Sequence, residues 1–335
     1  MRKKDEENKE KLKKLLDFRY KIKATSSFLQ KKNSDVFCDE VEEEPFAYVT
    51  NAIENTVSVI NTETKLVVAT VHVGHHPLSV AITPDETFAY VINAFESTVS
   101  VINTGTHQVG ATVSVGELPN GIAITPDGAF VYVTNIIGGT VSVINTRTNQ
   151  VGTTVSVGEL PTGIAITPNG AFAYVINDGE NTVSVINIGT NQVVATVHVG
   201  VGPWSVAITP DGAFAYVTIT DENTVSVINI GTNQVVATVH VGVGPWSVAI
   251  TPDGAFAYVT NAFENTVSVI NIGANQVVAT VHVGNRPLGV AITPDGAFAY
   301  VTNAFENTVS VINIGTNQVV ATVSVGNNPY GIAIL

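Results

Sequence analysis

The chain has 335 residues, is 45% hydrophobic and only 13% charged, and carries a net charge of −13 at pH 7. That is apolar material for one large domain or two ordinary ones, and no run of about 18 apolar residues is present that could span a membrane as a helix. Residues 45–335 hold only Lys65, Arg147 and Arg286 as strong bases; a body so acidic repels phosphate backbones, and nucleic acid is not expected as a partner.

Residues 1–44 come first and differ from the rest, with bases and acids nearly balanced. Leu12, Leu15, Leu16 and Ile22 fall at helix-like spacing among lysines and glutamates, which predicts either a short amphipathic helix or a charged, disordered tail. The basic start lacks an apolar stretch behind it, so no secretory signal is expected and the chain as written reads as cytoplasmic. Cys38 is the one cysteine, which leaves no intramolecular disulfide. An acidic run, Asp39–Glu44, marks the boundary with the body.

From Pro45 onward the sequence repeats. Tyrosines stand at 48, 90, 132, 174, 216, 258 and 300, each 42 residues after the last, and prolines at 77, 119, 161, 203, 245, 287 and 329 keep the same interval. Within the copy that begins at Pro245, four strands are predicted: SVAIT (247–251), FAYVT (256–260), TVSVIN (266–271) and QVVATVHV (276–283). β-Branched residues dominate them, and the last alternates Val277, Ala279, Val281, Val283 against Val278, Thr280, His282. PDG, NAFEN and NIGAN supply the turns between them. Seven such units predict an all-β, seven-bladed β-propeller over 45–335. The alanines at 81, 123, 165, 207, 249, 291 and 333 are expected where blades crowd toward the axis, and Phe256 and Tyr258 where they diverge. Because the body starts at a second strand (PFAYVT) and stops at a first (PYGIAIL), residues 329–335 are expected to complete the first blade and close the ring.

FAYVTN and its variants, followed in phase by VSVIN and ITPDG, resemble the YVTN family of β-propeller repeats across 45–335. The resemblance implies a bacterial or archaeal propeller of the surface-layer or cell-surface type. It implies no catalytic set.

The copies differ on one face. Strand direction places the PDG and NIGTNQ turns on one end of the blades, and the two–three turns and blade-to-blade loops on the other. The residue after each proline opens the innermost strand at the channel mouth: Leu78, Asn120, Thr162, Trp204, Trp246, Leu288 and Tyr330. The two–three turns add Ile53, Phe95, Ile137, Phe263 and Phe305 to the same face. Clustered aromatics mark contact sites, so this ring is expected to bind a protein or a glycan; the competing reading has Trp204 and Trp246 plug the channel. His72, His198, His240 and His282 lie on separate outer strands, too far apart to share an ion. His75 and His76 with Glu117 and Glu159 fall in consecutive loops but are expected too widely spaced for a metal. No metal or cofactor is expected. Lactonase or redox chemistry needs convergent charged groups, and none is evident. The sequence therefore predicts a monomeric, non-enzymatic binding or scaffold propeller, with a structural coat component as the alternative and an enzyme third.

Overall fold

The computed structural model describes residues 45–335; the expectations for residues 1–44 and for Cys38 lie outside the described residues. Seven four-stranded antiparallel sheets follow one another. Blade one combines residues 46–72 with the closing strand Pro329–Ile334; blades two to seven are the consecutive repeats 77–114, 119–156, 161–198, 203–240, 245–282 and 287–324. The closing strand pairs antiparallel with Phe46–Asn51, Ala47 opposite Ile334 and Tyr48 opposite Ala333. The chain is a seven-bladed β-propeller closed as its sequence predicts.

The core lies between blades. Each apolar cluster takes residues from two neighbours: Tyr258, Val267, Val269 and Val281 of blade six pack on Val290, Ala299, Val301 and Ile312 of blade seven. The last such cluster joins Tyr300, Val309 and Val311 to Ala47, Val49 and Ile60 across the closure. A single blade would leave both its faces bare, so the units are stable only in series. The tyrosines also staple the blades. Tyr258 donates to Asn317 Oδ1 of the next blade at 2.7 Å, and the same bond recurs from Tyr90 to Asn149 at 2.9 Å and from Tyr174 to Asn233 at 2.7 Å. Where the repeat departs, the staple changes: Tyr48 meets His107 Nδ1 at 2.9 Å, and Tyr300 donates to the Thr62 carbonyl at 3.1 Å.

One local expectation is corrected. The inner strand begins at the proline (Pro245–Ile250), two residues earlier than its alternation suggests, because a bulge separates the Pro245–Asn261 pair from the regular register that resumes at Val248. The bulge leaves Trp246 and Ser247 unpaired, and both line the channel; re-aiming side chains is what bulges do. Inner strands also approach closely two residues before the alanines, where a Cβ on Gly121 or Gly331 would clash with the neighbouring Thr162 or Leu78 carbonyl. In the outer strand Gln276–His282 only Val281 is buried. A second bulge interrupts its register at Val269–Ile270; past it Ala279 and Val283 pack with Val281 on the inter-blade cluster while Val278, Thr280 and His282 are exposed, so the alternation reports the core face as predicted.

Candidate active site at the channel mouth

The inner strands converge on a cavity of about 170 Å³. Five of the seven predicted ring residues line it: Asn120, Trp204, Trp246, Leu288 and Tyr330. The other two turn away. Leu78 is buried against Ala52 and Ala94, and Thr162 directs its hydroxyl to the Trp204 carbonyl at 3.0 Å. The two indoles pack face to face at an angle, centroids 4.3 Å apart and 41° between planes, and Tyr330 meets Trp246 edge-on at 6.4 Å. Ala262, Leu288 and Ala304 form the apolar wall behind them.

Tyr330 reaches across the mouth. Burial pushes its hydroxyl up to about 12, while Trp246, Trp204 and Asn120 on the far side, and the charge of Arg286, offset part of that rise. It therefore stays a neutral phenol at physiological pH. The Trp246 Nε1–H is buried and reaches no acceptor in hydrogen-bond geometry. An unmet buried donor costs about 1–3 kcal/mol, and here it stands at the edge of a cavity that already presents a phenol and an amide.

The two–three turns stand around this opening. Ile53, Phe95, Ile137, Phe263 and Phe305 are all exposed there, as the sequence predicts. Each turn is bonded to the blade-to-blade loop of its own blade, as Phe263 N–H is to the Val243 carbonyl at 3.2 Å. The Phe263 ring lies over Gly244, whose φ of +69° and close ring contact both require glycine. Arg286 sits between Phe263 and Phe305, 5.4 and 5.0 Å from the ring centroids. His76 stacks on Phe95 at 4.2 Å, and His75 faces Glu96 at 3.6 Å; neither joins Glu117 or Glu159. His72, His198, His240 and His282 are exposed on separate outer strands.

Sequence reasoning missed two carboxylates. In blades four and five the turn reads NDGEN and ITDEN where blades one, six and seven read NAIEN or NAFEN. Asp178 opens a short 3-10 turn, Asp178–Glu180, and its N–H bonds the Leu160 carbonyl at 3.1 Å. It takes the repeat position of Ala262, which packs on Leu288 of the following blade; in that register the following blade offers Trp204. Asp221 lies over Gly202 in the next turn. Burial, and secondarily the charge of Asp221, hold the Asp178 carboxyl above the ordinary carboxylate range. A half-buried acid whose pKa is raised by burial and a neighbouring carboxylate is a candidate proton-transfer group. Its signal in the sequence was the replacement of a small apolar residue by an acid at a constant position.

Two family models match parts of the chain: the choice-of-anchor I domain over residues 93–248 and the lactonase seven-bladed β-propeller over residues 232–334. No curated protein matches. Among solved structures, hydrazine synthase of Kuenenia stuttgartiensis is 25% identical with a TM-score of 0.71, covering 76% of this chain and 88% of its own. A protein of unknown function from Desulfotomaculum acetoxidans is 23% identical (TM-score 0.78, 86% and 98% covered). A candidate 6-phosphogluconolactonase from Bacteroides uniformis is 18% identical (TM-score 0.75, 88% and 100% covered). The lactonase match and the neighbours named as enzymes point to an enzyme-type propeller and overturn the expectation of a non-enzymatic scaffold. That expectation rested on the scarcity of bases and on finding no convergent charged groups; the pairing of Asp178 with Asp221 in adjacent blades escaped it.

Proposed function

We propose that the protein is a hydrolase of the lactonase type, opening a cyclic ester at the channel mouth. The observation that carries this reading is the match of the last two blades to a lactonase family model, together with Asp178, a half-buried acid of raised pKa in the turns of the mouth face. Asp178 as carboxylate takes a proton from the water that attacks the ester carbonyl carbon and returns it to the ring oxygen as the carbonyl carbon–ring oxygen bond breaks. The lactone lies against Trp204 and Trp246. Its carbonyl oxygen accepts from the neutral donors that converge there, the Tyr330 hydroxyl and the Asn120 amide, which are suited to the charge that develops on it. The opened hydroxy acid leaves through the same mouth. The in-phase FAYVTN words support reading the blades as YVTN-type repeats adapted to this use.

Acid release from a panel of lactones tests the reading. Purified full-length protein is expected to hydrolyse at least one, with kcat/KM falling on the acid side as Asp178 is protonated above the usual carboxylate range. Asp178→Asn is expected to lower the rate by about 10²–10⁴-fold without lowering Tm. Equal rates for the variant and the parent protein would refute the assignment of Asp178, and no turnover across the panel would refute the hydrolase.

A further inference from the structure

Resting on the lactonase reading, we infer that the substrate is an uncharged cyclic ester bearing a flat or branched apolar substituent, and that phosphorylated and carboxylated sugar lactones are rejected. Charge supplies the first argument. Arg286 is the one lysine or arginine in the loops of the mouth face, and its guanidinium is already occupied by Phe263 and Phe305. Every two–three turn except that of blade three carries an Asp or Glu, and Glu117 and Glu159 add to them from the blade-to-blade loops. A phosphate dianion entering this opening meets a negative potential with a single cation to offset it, where phosphate recognition ordinarily uses bidentate arginines or clustered bases.

Shape and polarity supply the second argument. Phe263 lies over Gly244, two residues before Trp246 in the chain, so the Phe263–Arg286–Phe305 stack and the Trp204–Trp246 pair meet at the same loop-to-strand junction of blade six. The donors that line the mouth are neutral: the Tyr330 phenol, the Asn120 amide, the Trp246 indole N–H and the hydroxyls of Ser79, Ser205 and Ser247. They fit an ester carbonyl rather than an anion. The cavity of about 170 Å³ is below the roughly 300–1,000 Å³ of sites for drug-sized ligands. It therefore holds the lactone ring and leaves the substituent on the outer aromatic surface.

Trp204 and Trp246 are the only tryptophans of the chain, so intrinsic fluorescence reports this site directly. Full-length protein is titrated with 3,4-dihydro-2-quinolinone, a non-hydrolysable lactam, and separately with 6-phosphogluconate. In parallel, acid release is followed from dihydrocoumarin, glucono-δ-lactone and 6-phosphoglucono-δ-lactone. The lactam is expected to change the emission saturably, with Kd weakened about tenfold or more by Phe263→Ser, as loss of an aromatic anchor costs; 6-phosphogluconate is expected to leave it unchanged, and only dihydrocoumarin to turn over. Saturable lactam binding without hydrolysis of any lactone would sink the hydrolase while sustaining the ligand class. Tighter response to 6-phosphogluconate than to the lactam, turnover of the phosphorylated lactone, or no response to either ligand would overturn the inference.

Discussion

Thr224 shows how one residue's worth depends on a neighbour. In six blades an asparagine ends the second strand and its Nδ2 donates to a threonine and a serine on the third, as Asn261 does to Thr266 and Ser268 at 2.9 Å each. Blade five has Ile219 in that place, and the buried Thr224 Oγ1 is left without a partner. Restoring asparagine would regain two hydrogen bonds of about 1 kcal/mol each but lose the burial of an isoleucine side chain, about 1.5–3 kcal/mol, so the two nearly cancel. Removing the stranded hydroxyl is the cleaner change. Thr224→Val is expected to stabilise by about 1 kcal/mol in urea denaturation, and Thr266→Val, which breaks a made bond, to destabilise by a similar amount. Equal effects of the two would show that the asparagine does not set the difference. Asp178 obeys the same logic with a charge. Its folded-state pKa lies above its unfolded value, so ionisation opposes folding at neutral pH and the penalty fades as pH falls through the folded pKa. Asp178→Asn is therefore expected to melt higher than the parent protein at pH 7 and at the same temperature below about pH 3.8, a stability held in exchange for activity.

Blade two departs from the repeat in its PDG turn, and the change shows what the repeat protects. The third residue of the PDG turn has φ between 67° and 70° at Gly128, Gly170, Gly212, Gly254 and Gly296, but in blade two it is Glu86 at 60°. A side chain in this left-handed region costs roughly 1–2 kcal/mol, against about 0.5–1 kcal/mol for the extra chain entropy of glycine. Glu86→Gly is expected to raise stability by about 0.5–1 kcal/mol, and Gly128→Glu to lower it by at least as much; a thermal melt of both settles the order. The elements themselves were legible because each is short, bounded by turn residues and repeated in phase, so period and alternation agree. What was not legible follows from features that leave no periodic mark. The inner-strand bulge turns Trp246 into the channel through a register shift, not through a residue type. Leu78 and Thr162 occupy the ring position yet turn away from the cavity, Leu78 to pack on Ala52 and Ala94 and Thr162 to bond the Trp204 carbonyl. Asp178 leaves no periodic mark either: it is one acid at a position that holds alanine in four other copies, Ala52, Ala94, Ala262 and Ala304.

At the scale of the whole ring, stability is a property of closure, and the closing strand also carries a residue of the site. Pro329–Ile334 supplies the inner strand of blade one and places Ile332 and Ile334 in the cluster between blades seven and one. Thr302 donates to the Tyr330 carbonyl at 2.8 Å, and Gly331 N–H donates to Thr50 Oγ1 at 2.8 Å, so the strand is bonded to both neighbours. Deleting residues 329–335 strips these bonds, leaves the edge of Phe46–Asn51 unpaired and opens the channel. Truncating a fully buried isoleucine costs about 2–5 kcal/mol. Two that are part-buried, with the lost bonds, amount to several kcal/mol, or about 10 °C in Tm for a protein larger than 150 residues. The exposed edge is expected to pair with another copy and give concentration-dependent oligomers in sedimentation. Adding a synthetic peptide of residues 327–335 is expected to restore Tm and the monomeric size together, since the vacated edge is its template. Tyr330→Phe in the intact chain separates site from scaffold: it keeps the strand, and is expected to retain Tm within about 2 °C while lowering turnover by the loss of one hydrogen-bond donor, about 10²-fold. A truncated chain that melts with the parent protein and stays monomeric would mean that the ring does not depend on this strand, whatever its place in the sheet.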